Sequence, residues 1–261
     1  YSALLLLATS AMTLLVSAVD LVAVFLGIEL LSIPIYLLAG FDRRKLRSNE
    51  AALKYFLVGS FASAILLYGM ALLYGATGAT DFGAIRRAFV PSQTLAALGL
   101  ALIVVGFTFK ISAVPFHQWT PDVYEGAPTS VTAFMSVTVK VAAFAGLMRM
   151  VVFAFQGGGP ALTDVLWWVA ALTMVVGNVM AVIQENVKRL LAYSSVAHAG
   201  YLLMGLVAGT QAGSSAMLFY LLAYLFTNLR AFAVIIALTN RGQDVDRLED
   251  FAGLARSRPA L

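Results

Sequence analysis

The chain has 261 residues, 61% hydrophobic and only 11% charged, with a formal net charge of +4 and a mean hydropathy of +0.89. A soluble domain keeps about a quarter of its residues charged, so this sequence is too poor in polar residues to wet its own surface, and lipid must cover it. No cysteine and two histidines exclude Cys-ligated iron–sulfur clusters and structural zinc within the chain. The small, dispersed charge does not suit nucleic acid, and no glycine-rich nucleotide fingerprint follows a predicted strand.

A helical span takes about 20 apolar residues, each adding about 1.5 Å across about 30 Å of hydrocarbon. By that rule the chain is an all-α polytopic membrane protein of about eight spans, near 1–17, 20–40, 49–75, 95–117, 128–154, 162–184, 189–208 and 214–239. Short connections, such as Ser17–Asp20 and Gln184–Lys188, favour antiparallel neighbours in one bundle. Ser48 is expected to cap the third span, with Glu50 in its first turn. Pro115 predicts a break just after Lys110, and Pro128 suits the first turn of the fifth span. The stretch from His117 to Pro128 is too polar for lipid and is expected to line a cavity or pack on other helices.

Arg43, Arg44, Lys45, Arg47, Lys188, Arg189, Arg241, Arg247, Arg256 and Arg258 fall on one side, against Arg86, Arg87 and Arg149 on the other. The positive-inside rule makes the first side cytoplasmic. Tyr1 stands in an apolar run without an initiator Met, and Leu261 follows Pro259 where a further span could begin. The sequence therefore reads as a piece of a longer protein.

A charge at the bilayer centre costs about 2.5–3.5 kcal/mol on insertion scales, so the ionisable residues at depth are the candidate functional groups. Glu29 lies about 13 Å into its span and Lys54 about 9 Å into the next, a difference a lysine stem bridges. The two are expected to pair, either as a fixed packing pair or as a movable one. Lys110 follows a long apolar run, and Lys140 lies about 18 Å from its helix start, too deep for a stem of about 6 Å to snorkel. Ser136, one turn before Lys140, offers water an approach. Burial disfavours a charged amine and a neighbouring carboxylate favours it, which makes buried lysines beside one carboxylate tunable proton sites. His117 and His198 could relay protons or simply hydrogen-bond to neighbours. Arg230 is read as a packing or pairing residue, and Lys188 and Arg189 as interfacial orientation charges.

Four stretches, LGIELLSIPIYLLAGF, NEAALKYFLVGSFASAILLYG, GFTFKISAVPFHQWTPDVYEGAPTSVTAF and QENVKRLLAYSSVAHAGYLLMGL, together resemble the antiporter-like membrane subunits of respiratory complex I. HQWTPDVYEGAPT and KRLLAYSSVAHAGY are most similar to the subunit N type. The resemblance implies two inverted five-helix repeats with broken helices. The first repeat would cover 1–154, three helices of the second 162–239, and a cytoplasmic connection to a further span 240–261. A faint echo agrees, with AALKYFL resembling AMLFYLL and Phe219 standing where Lys54 does.

The resemblance also implies a proton-translocating subunit of an NADH:quinone oxidoreductase in the inner (plasma) membrane, with the Arg43/Arg44/Lys45 loop cytoplasmic. NADH, FMN, iron–sulfur clusters and quinone would sit on partner subunits, and the chain itself would hold no metal or cofactor. Its neighbours would be other antiporter-like and small membrane subunits. By motif position, Glu29, Lys54, Lys110 and Lys140 carry the family's proton-translocation roles, with His117 and His198 beside them. The second repeat's lysine would lie beyond Leu261, and Arg230 stands where relatives often have a small residue. An Mrp-type cation/proton antiporter subunit and a structural scaffold for a dehydrogenase or hydrogenase are the rival readings.

Overall fold

A computed structural model describes residues 1–155, 159–239 and 245–258. Its helices are α1 (Ser2–Ser17), α2 (Leu21–Ala39), α3 (Leu46–Thr77), α4 (Phe82–Ala88), α5 (Thr94–Lys110), α6 (Trp119–Gly126), α7 (Thr129–Ala154), α8 (Gly159–Val182), α9 (Val187–Val207) and α10 (Gln211–Leu238). A single turn, Leu248–Phe251, and a short helix, α11 (Leu254–Ser257), follow. Among the described residues six helices are long and apolar enough to cross a membrane, and α1 and α5 are shorter apolar helices, so each of the eight expected spans corresponds to a helix. The fourth is shorter than expected because it stops at Lys110, where the proline-containing segment breaks it.

Two local expectations are corrected. The third span begins at Leu46 with Lys45 at its cap position, so Ser48 lies inside the helix and Glu50 beyond its first turn. Ser48 is buried and donates to the Ala39 carbonyl at 2.7 Å, tying α3 to the end of α2. Pro128 precedes Thr129 as the cap residue of α7 and supplies its carbonyl to Val131 and Thr132.

Helices in lipid gain little from hydrophobic burial against each other, so close backbone approach at small residues carries the packing. A Cβ at Gly69 on α3 would lie 2.8 Å from the Gly99 carbonyl and the Ile103 nitrogen on α5. One at Gly177 on α8 would lie 2.5 Å from the Ala197 nitrogen on α9. Neither obstacle is a side chain that can swing away.

Two backbone clasps reveal the internal symmetry. Leu21 donates to Thr80 and Phe82 to Val19, closing the Asp20–Asp81 bridge. Val187 donates to Asp246 and Leu248 to Glu185, closing the Asn186–Arg247 bridge. The same number of positions separates every residue of the first clasp from its counterpart in the second, and Asp20 and Asn186 both cap the helix that follows. The first clasp lies at the end of the bundle where Arg149 donates to the Ala18 carbonyl. The second lies at the opposite end, where Lys188 meets Asp246 and Glu125. The bundle is thus built from inverted repeats.

The basic residues expected to share a side do so where they are described: Lys45, Arg47 and Lys188 line one cavity of about 410 Å³ with Asp42, Glu125 and Asp246. Arg241 lies outside the described residues.

Candidate functional site

The break in α5 creates the first half of the site. Ile111 caps the helix, Ser112 takes the left-handed region at φ 62°, and Pro115 has no backbone donor to offer. The polar groups exposed by the break find partners inside the bundle. Val114 donates to Thr173 Oγ1 on α8 at 3.0 Å, and the Trp119 indole donates to the Phe109 carbonyl at 3.3 Å. Irregular backbone is tolerated at this depth only under such protein cover. Lys110, the last residue of α5, is 4% exposed. Its ammonium donates to Ser32 Oγ on α2 at 2.7 Å and stands 5.9 and 5.7 Å from the ring centres of Tyr36 and Tyr55. Ser32 in turn donates to the Ile28 carbonyl.

The second half is built by α7, which widens into a π turn over Met135–Val139 immediately before Lys140. Such turns insert a residue and commonly occur at functional positions. Lys140 is 2% exposed and donates to the Ser195 carbonyl and Oγ on α9. Around it runs a buried web: Tyr224 on α10 reaches Ser195 Oγ at 2.9 Å and the Ser136 carbonyl at 3.2 Å. Asn228 donates to Ser136 Oγ at 2.9 Å and to the Tyr224 hydroxyl at 3.0 Å. Ser136 therefore belongs to the web and does not face the ammonium directly.

The expected Glu29–Lys54 pair is not formed. Glu29 accepts from Ser63 on α3. Lys54 turns away to Glu50 at 2.7 Å, one turn back on its own helix, and to Asp122 of α6 at 2.9 Å. Axial depth suggested the pair, but the carboxylates of the TPDVYEG segment dock closer to Lys54. Arg189 extends the network, meeting Asp122 at 2.7 Å and Glu125 at 2.9 Å. Lys188, read from sequence as an interfacial charge, is 3% exposed and bound to the Glu125 carbonyl and Asp246.

His198 Nδ1 is 2.6 Å from the Tyr220 hydroxyl, and its ring centre is 5.0 Å from that of Tyr224. His117, half-buried on the broken segment, has its ring 6.4 Å from Tyr193, and its Nδ1 is buried without a hydrogen bond among the described residues. Arg230 is exposed on the outer face of α10, in contrast to its expected packing or pairing role. The structure therefore brings Lys140 and His198 to one web around Ser195 and Tyr224, sets Lys110 on Ser32, and gathers Lys54 into the ion-pair network. Sequence reading missed Ser32, Ser195, Tyr224, Asn228 and Asp122. For Asp122 a signal was present, since an acidic residue in a segment too polar for lipid calls for cationic partners.

Burial pushes the Asp122 carboxyl up, but hydrogen bonds from Arg189 and Lys54 outweigh it and hold the group below its ordinary range. Its stabilising contribution is then present above the unfolded carboxylate value, about 3.9, and is lost as pH falls through the lower folded value. Thermal unfolding of the full-length subunit in detergent is expected to show an acid-side loss of stability that shrinks in Asp122→Asn. An identical acid limb in the variant would rule that assignment out.

Among the described residues, eight apolar helices, one of them broken, with two lysines buried on hydroxyl acceptors, define a polytopic membrane protein. Residues 18–261 match the family described as NADH:quinone oxidoreductase/Mrp antiporter, transmembrane, and the chain belongs to that family. It is 50% identical over 262 residues to NADH-quinone oxidoreductase subunit N of Trichlorobacter lovleyi, covering 99% of this chain and 54% of that protein. It is 51% identical over 261 residues to subunit N of Gemmatimonas aurantiaca, covering 99% of this chain and 50% of that protein. Respiratory complex I from Thermus thermophilus with bound aureothin contains a chain of the same fold, with TM-score 0.84 and 44% identity over 98% of this chain and 55% of that one. The resemblance to the subunit N type is borne out. The chain spans about half the length of these relatives.

Proposed function

We propose that this chain forms part of a proton-translocating membrane subunit of an NADH:quinone oxidoreductase, with electron transfer carried by NADH, FMN, iron–sulfur and quinone sites on partner subunits. The observation that carries the reading is the pairing state of the two deep lysines. Lys110 and Lys140 are buried on hydroxyl and carbonyl acceptors, whereas Lys54 and Lys188 have carboxylate partners. An amine whose charge no carboxylate locks can be discharged and recharged within the membrane.

In this reading a proton held on Lys110 moves laterally to Lys140. Glu29 and Lys54 bias it by pairing and unpairing, and the arrangement seen here, Lys54 on Asp122 and Glu29 on Ser63, is the unpaired one. His117 and His198 act as subsidiary relays. The end carrying Lys45, Arg47 and Lys188 faces the cytoplasm, and neighbouring antiporter-like and small membrane subunits flank the bundle.

The test uses the full-length subunit in its assembled complex, in vesicles energised with NADH. Lys110→Met is expected to abolish acidification while the complex still assembles. A normal proton-to-electron ratio in that variant would refute the proposal. Sodium-dependent exchange without NADH or quinone turnover would instead favour an antiporter.

A further inference from the structure

The web around Lys140 holds fewer mobile protons than it offers acceptors. The Tyr224 hydroxyl has one proton and two acceptors in reach, Ser195 Oγ at 2.9 Å and the Ser136 carbonyl at 3.2 Å. Its own oxygen accepts from Asn228, which also holds Ser136 Oγ, so the ring is fixed while the O–H can rotate. Ser136 Oγ donates to the Ala133 carbonyl and takes no part in the choice. Ser195 Oγ is the shared atom: the Lys140 ammonium donates to it from one side and Tyr224 faces it from the other. Tyr224, Ser195 and Ser136 are buried, so no bulk water competes for these bonds.

We infer that Tyr224 is a positioning residue that makes the discharged state of Lys140 accessible, by turning its hydroxyl between two acceptors as the amine changes charge. With Lys140 protonated, the ammonium donates to Ser195 Oγ, the Ser195 proton points to Tyr224, and the Tyr224 proton rests on the Ser136 carbonyl. With Lys140 neutral, the chain reverses: Tyr224 donates to Ser195 Oγ, and Ser195 donates to the amine lone pair. The Lys140, Ser195 and Tyr224 side chains stay linked by hydrogen bonds in both directions, and the Ser136 carbonyl gives up the Tyr224 proton in the second. No covalent bond changes within the chain; the proton that leaves Lys140 departs to the transport route.

This role rests on the proposed translocation through Lys140. Removing the tyrosine hydroxyl affects the two states unequally. The charged state keeps both ammonium acceptors on Ser195, and the Ser195 hydroxyl can fall back on a carbonyl of its own helix, a common bond for buried serines. The neutral state loses the Tyr224 donor, leaving Tyr124 as the one further hydroxyl at Ser195. The titratable groups around the amine are His198 on α9, Tyr224 on α10 and, through Ser195, Tyr124 on α6, with Tyr220 behind His198. The α1 helix, which packs on the following half of α7, brings no ionisable side chain.

The measurement is the pH profile of NADH-driven proton pumping by the complex carrying the full-length subunit, each profile normalised to its own maximum. Tyr224→Phe is expected to move both limbs toward alkaline pH by about one unit, the size of one hydrogen bond. Tyr224→ortho-fluorotyrosine keeps the hydroxyl and the volume but makes a stronger donor, and is expected to move them toward acid. It serves equally where the phenylalanine variant fails to assemble. A superimposable profile for the fluorinated variant, or an acid shift for Tyr224→Phe, would overturn the inference. Lys140→Met, measured alongside, separates the two levels. If it pumps normally the translocation reading fails, whereas if it is inactive and the tyrosine variants titrate like the parent, only the role of Tyr224 fails.

Discussion

Lys140→Met is expected to lower proton pumping at least about tenfold, as loss of an acid–base group does, while leaving the subunit folded or making it more resistant to heat. The two effects have opposite signs for one physical reason. Methionine nearly matches the lysine stem in length and is apolar, so the variant removes a buried ammonium and keeps most of its packing. Replacing buried charge by well-fitting apolar groups is often neutral or stabilising by about 1–4 kcal/mol. Ser195 is not stranded, because Tyr224 still donates to its Oγ. A purely structural lysine gives a different pattern, with assembly lost first and pumping lost in proportion. The check is a thermal-unfolding midpoint and a pumping assay on one preparation; a destabilised variant whose remaining complexes pump at full rate would assign Lys140 to scaffolding.

The second large effect concerns assembly. Gly177→Leu is expected to prevent accumulation of folded subunit in the membrane. Its first side-chain atom would fall 2.5 Å from the Ala197 nitrogen and 2.8 Å from its Cα, both backbone of the facing helix α9. Relief requires α8 and α9 to separate, which strips contacts along their whole interface and moves Ser195, two residues before Ala197, away from Lys140. Overpacking against a rigid neighbour costs about 1–3 kcal/mol, and more where backbone must shift. Gly75→Ala is the matched control. Its Cβ would meet only Leu95 Cδ2 at 3.5 Å, an ordinary contact, so the protein is expected to tolerate it. Equal membrane levels of the two variants, by immunoblot and protease resistance, would show that the α8–α9 approach is not needed.

Hydrophobic length made the bundle legible. Each apolar run long enough to span became a helix, and Pro115 located the break at Lys110. The burial of Lys110 and Lys140 was legible for a related reason, since neither stem could reach an interface from its place along the helix. What failed was azimuth. Apolar residues cover nearly the whole circumference of these helices, so the sequence says how deep a side chain lies but not which neighbour it faces. Glu29 and Lys54 have compatible depths, yet each found a nearer partner. Ser32, Ser195, Tyr224 and Asn228 were hidden because single hydroxyls and amides are common in membrane helices, and only the packing selects those that meet an amine. The short-range capping pattern at Ser48 failed because α3 begins earlier, at Leu46, and tertiary contact with Ala39 claimed the hydroxyl.

The wide turn at Met135–Val139 has a geometric consequence for the helix that carries Lys140. Each residue of an α-helix advances the azimuth by about 100°, so one extra residue swings everything downstream by that angle against everything upstream. Upstream of the turn Thr132 donates to the Tyr124 carbonyl of α6, while the later half presents Gly146 to Leu15 and Phe107. A single rod thereby addresses two different walls, and its amine sits at the joint between them.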